Sequence, residues 1–433
     1  MPVFTDESDM LNHTGPGTPM GELLRRFWVP VLLAEELPGP WSPPVRTTLL
    51  GERLVAFRDT EGRIAFLQEF CAHRRASLFF GRNESEDSPD HKAGLRCAYH
   101  GWKYDVTGQC IDMPNEPENS RFKEHVQITS YPGVERGGAI WAYLGPPELI
   151  PDLPDLEWCV VPSDYRYLSK RFESVCFTQA MEGGIDSSHV SFLHADAGYW
   201  QGYGELIDPV VMTHDTAPRF FVEPTEYGLL IGARRDAADG GYYWRVTQWI
   251  MPVFQYIPRT GDGAIGGHAW VPIDDTHCWA WSITYHPDRP LTDAEVHSCT
   301  DGLGIHVEAI PGTSFAAQNE ENDYKIDRRL QAHMLSLSGI YGVGAQDQAM
   351  QESMGPESDA SRDHLGSSDA AIIAMRKRLI AEARAHAEGG EPTGLDPMVQ
   401  RVRSTSAFLS EDQDWTVATA EQRRAVSRHY SGV

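Results

Sequence analysis

The apolar positions change their period along the chain. Residues 14–29 read as a Gly/Pro turn followed by a short amphipathic helix, whose apolar face is Leu23, Leu24, Phe27 and Trp28. Short strand patterns follow at Val45–Leu50, Arg53–Phe57, Ile64–Gln68, Gly101–Asp105 and Ala139–Tyr143, broken by Gly, Pro and Asp. Short strands with frequent turns predict a small all-β unit. Within it, the polar segment 81–93 is expected to be an exposed loop. The Pro-rich stretch Gly145–Pro154 is the best linker candidate. Beyond it, Val175–Leu193 has a helical pattern. Residues 207–287 supply longer strands, including Gly241–Val253 and Gly267–Ile273, and 323–353 and 368–387 read as helical. The pattern predicts an α+β chain in three parts: an N-terminal segment 1–40 packing on the rest, a small all-β domain 41–150, and a larger sheet-and-helix domain 151–433.

The length of 433 residues agrees with more than one domain. A formal net charge of −25 gives a surface that repels phosphate backbones, which argues against nucleic-acid binding. No run approaches the roughly 18 apolar residues that cross a bilayer. The acidic start, Met1 to Glu7, lacks a signal-peptide pattern, so a cytoplasmic location is expected. Seven scattered cysteines, an odd number, argue against a disulfide framework and leave thiols available for metal binding.

Two short segments each offer one thiolate and one imidazole: Cys71-Ala-His73-Arg-Arg75 and Cys97-Ala-Tyr-His100-Gly-Trp102. A Rieske [2Fe–2S] cluster takes two Cys on one iron and two His on the other. Two hairpin loops of this composition meet that need, and Gly101 lets the backbone turn close to the cluster. A Cys2His2 zinc site would more usually pair Cys with Cys and His with His. The long gap from His73 to Cys97 is taken up by the polar segment 81–93.

The second constellation is Glu182-Gly-Gly-Ile-Asp186-Ser-Ser-His189-Val-Ser-Phe-Leu-His194. Asp186 and His189 share a helix face, whereas His194 falls off the period unless the helix ends or bulges there. Two His with a distant carboxylate form the facial triad of non-haem Fe(II) oxygenases, which leaves positions open for O2 and substrate. Asp347, after a Gly-rich turn at the start of a helix, is the best carboxylate candidate. Glu352 and the acidic run Glu320, Glu321, Asp323 and Asp327 are rivals.

Together with Gly15–Gly21, Gln346–Pro356 and His364–Asp369, these motifs resemble the phthalate-dioxygenase-like branch of the Rieske ring-hydroxylating oxygenases over most of the chain. The resemblance implies an oxygenase alpha (terminal oxygenase) subunit with one cluster and one Fe(II). Its catalytic domain would be of the helix-grip kind, an antiparallel sheet with covering helices, and Asp347 would be the metal carboxylate. It also implies O2 as cosubstrate, electrons from NADH through a separate flavin/iron–sulfur reductase or ferredoxin, and a homotrimer or stacked trimers. Asp186 would bridge His100 of one subunit to His189 of the next. The resemblance leaves the role of Glu182 open. It implies an aromatic carboxylic acid substrate, oxidised by ring hydroxylation or O-demethylation.

An anionic ring acid calls for a buried planar cation. Arg245, mid-strand and on the same face as Tyr243, Thr247 and Trp249, is the candidate; Arg219, Arg234 and Arg235 are alternatives. Trp270, Trp279 and Trp281 are candidate pocket walls. Two rival functions are an electron carrier using the cluster alone, which leaves His189 and His194 without a role, and a zinc-stabilised ligand-binding protein, which would be colourless.

Overall fold

The computed structural model describes residues 7–85, 87, 91–195, 214–238, 240–259 and 261–430. The chain divides into two compact units, one of residues 25–151 and one of 1–24 with 152–433.

The smaller unit is built of ten strands: β1 (Val29–Leu33), β2 (Val45–Leu49), β3 (Glu52–Arg58), β4 (Ile64–Gln68), β5 (Arg82–Glu84), β6 (Gly94–Arg96), β7 (Lys103–Tyr104), β8 (Cys110–Asp112), β9 (Ser130–Arg136) and β10 (Ala139–Ala142). Six form one antiparallel sheet in the order β1-β10-β9-β4-β3-β2, and β5-β6-β7-β8 form a second. A core of Val55, Phe57, Leu67, Leu95, Trp102 and Tyr104 joins the two cysteine loops to both sheets. Part of the segment 81–93 departs from its expectation as an exposed loop, while Asp87, His91 and Lys92 are exposed as expected. Residues 82–84 are strand β5, paired with β6, and Asn83 and Glu84 are buried. Glu84 lies within ion-pair distance of Arg96 (2.8 Å) and Lys103 (3.0 Å), so a polar sequence is buried here because its charges are paired.

The larger unit carries an antiparallel sheet of β11 (Arg166–Glu173), β12 (Arg219–Pro224), β13 (Gly228–Asp236), β14 (Tyr242–Ile250), β15 (Phe254–Ile257), β16 (Ile265–Pro272), β17 (Cys278–Tyr285) and β18 (Thr405–Leu409). The order is β11-β17-β16-β15-β14-β13-β12, with β18 pairing beside β14 over Tyr242–Val246, where the short β15 does not reach. Helices Phe177–Ile185, Val343–Ser353 and Ala370–Ala387 pack around the site. Two adjacent glycines set the closest approach. A Cβ on Gly184 would lie 2.2 Å from the Trp270 ring, and one on Gly183 would lie 2.6 Å from Gln351 Nε2. The Phe177–Ile185 helix therefore rests on the sheet on one side and on Val343–Ser353 on the other.

Three helical expectations shorten. The first helix runs only from Pro19 to Leu24, and Trp28 leads into β1. Val175–Leu193 is helical from Phe177 to Ile185 and closes with a 3-10 turn at His189–Ser191. Residues 323–353 break at Asp323 and Tyr324, which have positive φ, and again at Gly339 and Gly342 before the Val343–Ser353 helix begins. Among the described residues no helix is long and apolar enough to cross a membrane.

Candidate metal centres

In the smaller unit the two Cys/His loops close on each other. Each is a tight turn. The Arg75 amide donates to the Cys71 carbonyl at 3.0 Å, and the Gly101 amide donates to the Cys97 carbonyl at 3.1 Å, with Gly101 at φ +79°. The rings of His73 and His100 lie 4.4 Å apart, and Trp102 stacks on His73 at 4.6 Å. Trp102 is held in turn by its indole N–H donating to Asn115 Oδ1 at 2.8 Å. Cys71 and Cys97 are buried, while both His are only half-buried at the loop tips. The thiols perturb each other: a hydrogen bond with Cys71 draws Cys97 down to about 6, and the same contact with burial pushes Cys71 well up. His73 Nδ1 is buried and takes no hydrogen-bond partner among the described residues. Two close thiols inside, two imidazoles outside and an orphaned ring nitrogen between them fit a [2Fe–2S] cluster better than a closed hydrogen-bond network.

In the larger unit, His189, His194 and Asp347 bring one ligand atom each to within 4.8 Å of one another. His189 Nε2 is 3.1 Å from His194 Nε2, and Asp347 Oδ1 is 3.0 Å from His194 Nε2 and 3.6 Å from His189 Nε2. Burial works against the Asp347 charge, yet the two imidazoles hold its carboxyl down to about 2. The five-residue spacing of the two His works because the helix has ended. Asp186 closes it, and its carboxylate accepts the amides of Ser188 (2.6 Å) and His189 (3.3 Å). Asp186 Oδ2 lies 3.4 Å from His189 Nδ1. Three converging ligands on one side match the two-His, one-carboxylate donor set of a mononuclear iron.

Two of the rival carboxylates are engaged elsewhere. Glu352 accepts from the Ser174 amide (2.9 Å) and the Tyr324 hydroxyl, and Asp327 pairs with Arg329. Glu182 is in a bidentate pair with Arg376, whose third nitrogen binds Asp363 at 2.7 Å. It forms part of the wall of an outer cavity of about 730 Å³.

A smaller cavity, about 60 Å³, lies between His189, His194 and Asp347 and the sheet. Arg245 lines it, buried, with Thr247, His268, Trp270 and Arg171. Of the three tryptophans read as pocket walls, Trp270 faces this cavity. Trp279 and Trp281 point to the opposite face of their strand, toward Lys170. The alternative arginines do other work. Arg235 donates to the Ser187 carbonyl (2.6 Å) and to the hydroxyls of Ser187 (3.1 Å) and Ser191 (3.2 Å), clamping the turn that carries His189. Arg234 stacks on Tyr242, and Arg219 is exposed on β12. Arg171 and His268 escaped the sequence reading, as did the role of Arg235 in clamping the turn and that of Gln346 beside His194. Each lies alone in a strand or helix pattern, and only the fold brings them to the site.

The chain matches the family model for the Rieske [2Fe-2S] domain over residues 27–132 and that for the LigXa C-terminal domain like family over residues 142–430. The 3-chlorobenzoate-3,4-dioxygenase oxygenase subunit of Comamonas testosteroni is 35% identical, over 97% of this chain and 98% of its own. The phthalate 4,5-dioxygenase oxygenase subunit of Pseudomonas putida is 35% identical, over 95% and 94%. Among solved structures, the QL mutant of NdmA from Pseudomonas putida CBB5, with theobromine, superposes with a TM-score of 0.58 at 19% identity, over 92% of this chain and all of that one, which shows the shared fold.

Proposed function

The chain belongs to the Rieske non-haem iron oxygenases, as a terminal oxygenase subunit with a Rieske cluster and a mononuclear iron, and on that premise we propose that it hydroxylates the ring of an aromatic carboxylic acid. One observation carries the substrate class: a buried guanidinium, Arg245, lines the cavity that also contains His189, His194 and Asp347. A buried cation facing a ligand cavity favours an anionic ligand, and its planar fork suits a carboxylate. The two 35%-identical relatives are named for ring acids, which agrees with this reading.

In this reading Cys71, His73, Cys97 and His100 hold the cluster, and His189, His194 and Asp347 hold the iron. When bound, the iron supplies reductive activation of O2. The chain's own groups do the rest. Arg245 anchors the carboxylate and so fixes which ring carbons face the metal ligands. Trp270 and Ile257 exclude water from the inner cavity. Gln346 and Asp186 orient the two imidazoles. Asp186 bridges His189 to His100 of a neighbouring subunit in a ring of three, and a reductase or ferredoxin docks to deliver electrons derived from NADH. The protein works in the cytoplasm.

The test is an assay of iron-loaded protein with a class-matched reductase and NADH against phthalate isomers, substituted benzoates and methoxylated mono- and biaryl acids. A cis-diol formed in step with O2 uptake is expected. Formaldehyde in its place makes the enzyme an O-demethylase. If no acid stimulates O2 uptake while the cluster still cycles, the aromatic-acid assignment and the role of Arg245 are wrong.

A further inference from the structure

We propose that His268 determines substrate specificity, as a hydrogen-bond acceptor for a donor substituent, a phenolic O–H or ring N–H, placed meta or para to the carboxylate that Arg245 holds. The inference rests on the aromatic-acid reading and narrows it.

His268 sits mid-strand in β16, buried, on the wall of the small cavity. Its Nδ1 is 3.0 Å from the carbonyl oxygen of Trp281. A carbonyl only accepts, so Nδ1 carries the proton. The neighbouring Ser282 hydroxyl, 3.4 Å from the same nitrogen, does not reverse this, because it donates to the Ile305 carbonyl at 2.8 Å and accepts from Arg171 at 3.2 Å. Nε2 is therefore a lone-pair acceptor, and among the described residues no protein donor meets it. Trp270, with its ring centroid 4.9 Å away, restricts the imidazole plane. Burial first, and then the charge of Arg171, hold the ring neutral, with its pKa down to about 4. Nε2 keeps some exposure on the cavity side. A ligand that fills the cavity without a donor buries this acceptor unsatisfied at a cost in free energy, so a ligand that supplies one gains over a ligand that does not.

Strand register places this acceptor relative to the cation. His268 pairs with Gln255 in β15, and Gln255 pairs with Trp249 in β14. Arg245 is four residues before Trp249, about 13 Å along the strand, and two strands from β16, roughly 10 Å across. Both side chains point to the cavity face. Groups that start this far apart grip opposite ends of one ring. A donor ortho to the carboxylate would stay near Arg245, whereas one at the meta or para position projects toward His268.

The test is calorimetric titration of the metal-loaded enzyme with benzoate, 2-, 3- and 4-hydroxybenzoate and 4-methoxybenzoate. Wild type should bind the 3- or 4-hydroxy acid about tenfold more tightly than benzoate or the methyl ether, with no such gain for the 2-hydroxy acid. His268→Phe should erase that preference while leaving benzoate affinity unchanged. His268→Gln, which keeps an acceptor, should retain part of it and covers the case in which the Phe variant fails to fold. Equal binding across the series, or a preference that survives in His268→Phe, overturns the inference while leaving the aromatic-acid reading intact. If none of the acids binds, that reading falls and the inference falls with it.

Discussion

Gln346 and His194 are locked to each other: the His194 Nδ1–H donates to Gln346 Oε1 at 2.7 Å. The direction is fixed by the other end of the amide, where Nε2 donates to the Ile340 carbonyl at 3.0 Å and so leaves only oxygen for the histidine. Gln346 thereby sets the tautomer that aims the Nε2 lone pair at Asp347 and His189. Gln346→Leu should weaken iron binding by about 10- to 100-fold while the cluster absorbance stays unchanged. Iron titration into the metal-depleted variant reads this directly, and wild-type affinity would show that the tautomer needs no such partner.

Glu182 and Arg376 form a bidentate pair between the Phe177–Ile185 and Ala370–Ala387 helices, both side chains almost removed from solvent. Removing one partner leaves the other buried and uncompensated. Arg376→Met should destabilise the larger unit by about 3–5 kcal/mol, and the double change Glu182→Met with Arg376→Met by clearly less. Urea denaturation of these two variants and of Glu182→Met alone tests this. An additive double mutant would mean that the pair is not coupled.

Much of this was open to a reader of the sequence, and the boundary is physical. Cys71, His73, Cys97 and His100 lie in two local loops, and His189 and His194 in one, so residue type and spacing single them out as candidates. Asp347 lies more than 150 residues from His194, and chemistry alone could not choose it over Glu352 until the fold showed Glu352 committed to Ser174 and Tyr324. The role of Glu182 was hidden because its partner, Arg376, is on a distant helix. Residues 82–84 misled because a polar pattern reports exposure only when charges lack partners, and Glu84 has Arg96 and Lys103. Trp279 and Trp281 misled because strand alternation tells that they share a face without telling which face is the cavity.

Glu173 gives a pH signature. It is fully buried beside Arg171, and burial, only partly offset by Arg171, pushes its carboxyl up to about 7. The folded state then holds this proton more tightly than the unfolded chain does. The contribution to stability is complete below the ordinary carboxylate range near 4.5 and is lost as pH rises through about 7. Glu173→Gln cannot titrate. The melting temperature of wild type relative to this variant should therefore fall between pH 5 and pH 8. A difference that rises with pH would show that the Arg171 pair keeps Glu173 ionised throughout.

Tyr104 tunes the cluster loop. Its hydroxyl accepts the Ala72 amide at 3.1 Å, which leaves its proton for Cys71 Sγ, 3.2 Å away. A donor to a ligand sulfur offsets negative charge and favours the reduced state. Tyr104→Phe removes about 1 kcal/mol of hydrogen bonding, and the midpoint potential should drop by about 40 mV for the one-electron couple. Redox titration followed by absorbance measures it, and an unchanged potential would place the hydroxyl proton elsewhere.

Asp186 joins a structural task to an electronic one, and the two can be separated. Structurally it caps the helix end: its carboxylate accepts the Ser188 and His189 amides and so positions the turn toward His194. Electronically, its charge faces His189 Nδ1 at 3.4 Å, on the side away from the metal-facing Nε2. Asp186→Asn keeps an acceptor for the turn and deletes the charge; Asp186→Ala deletes both. If Asp186 bridges subunits, Asp186→Asn should retain full cluster absorbance and iron. In both variants, re-oxidation of the reduced cluster in the presence of substrate and O2 should slow by on the order of 100-fold. If the residue matters only as a cap, Asn should behave like wild type and Ala should lose iron. Stopped-flow absorbance at the cluster band, read beside iron content, distinguishes the two. A wild-type rate in Asp186→Asn would end the bridging assignment.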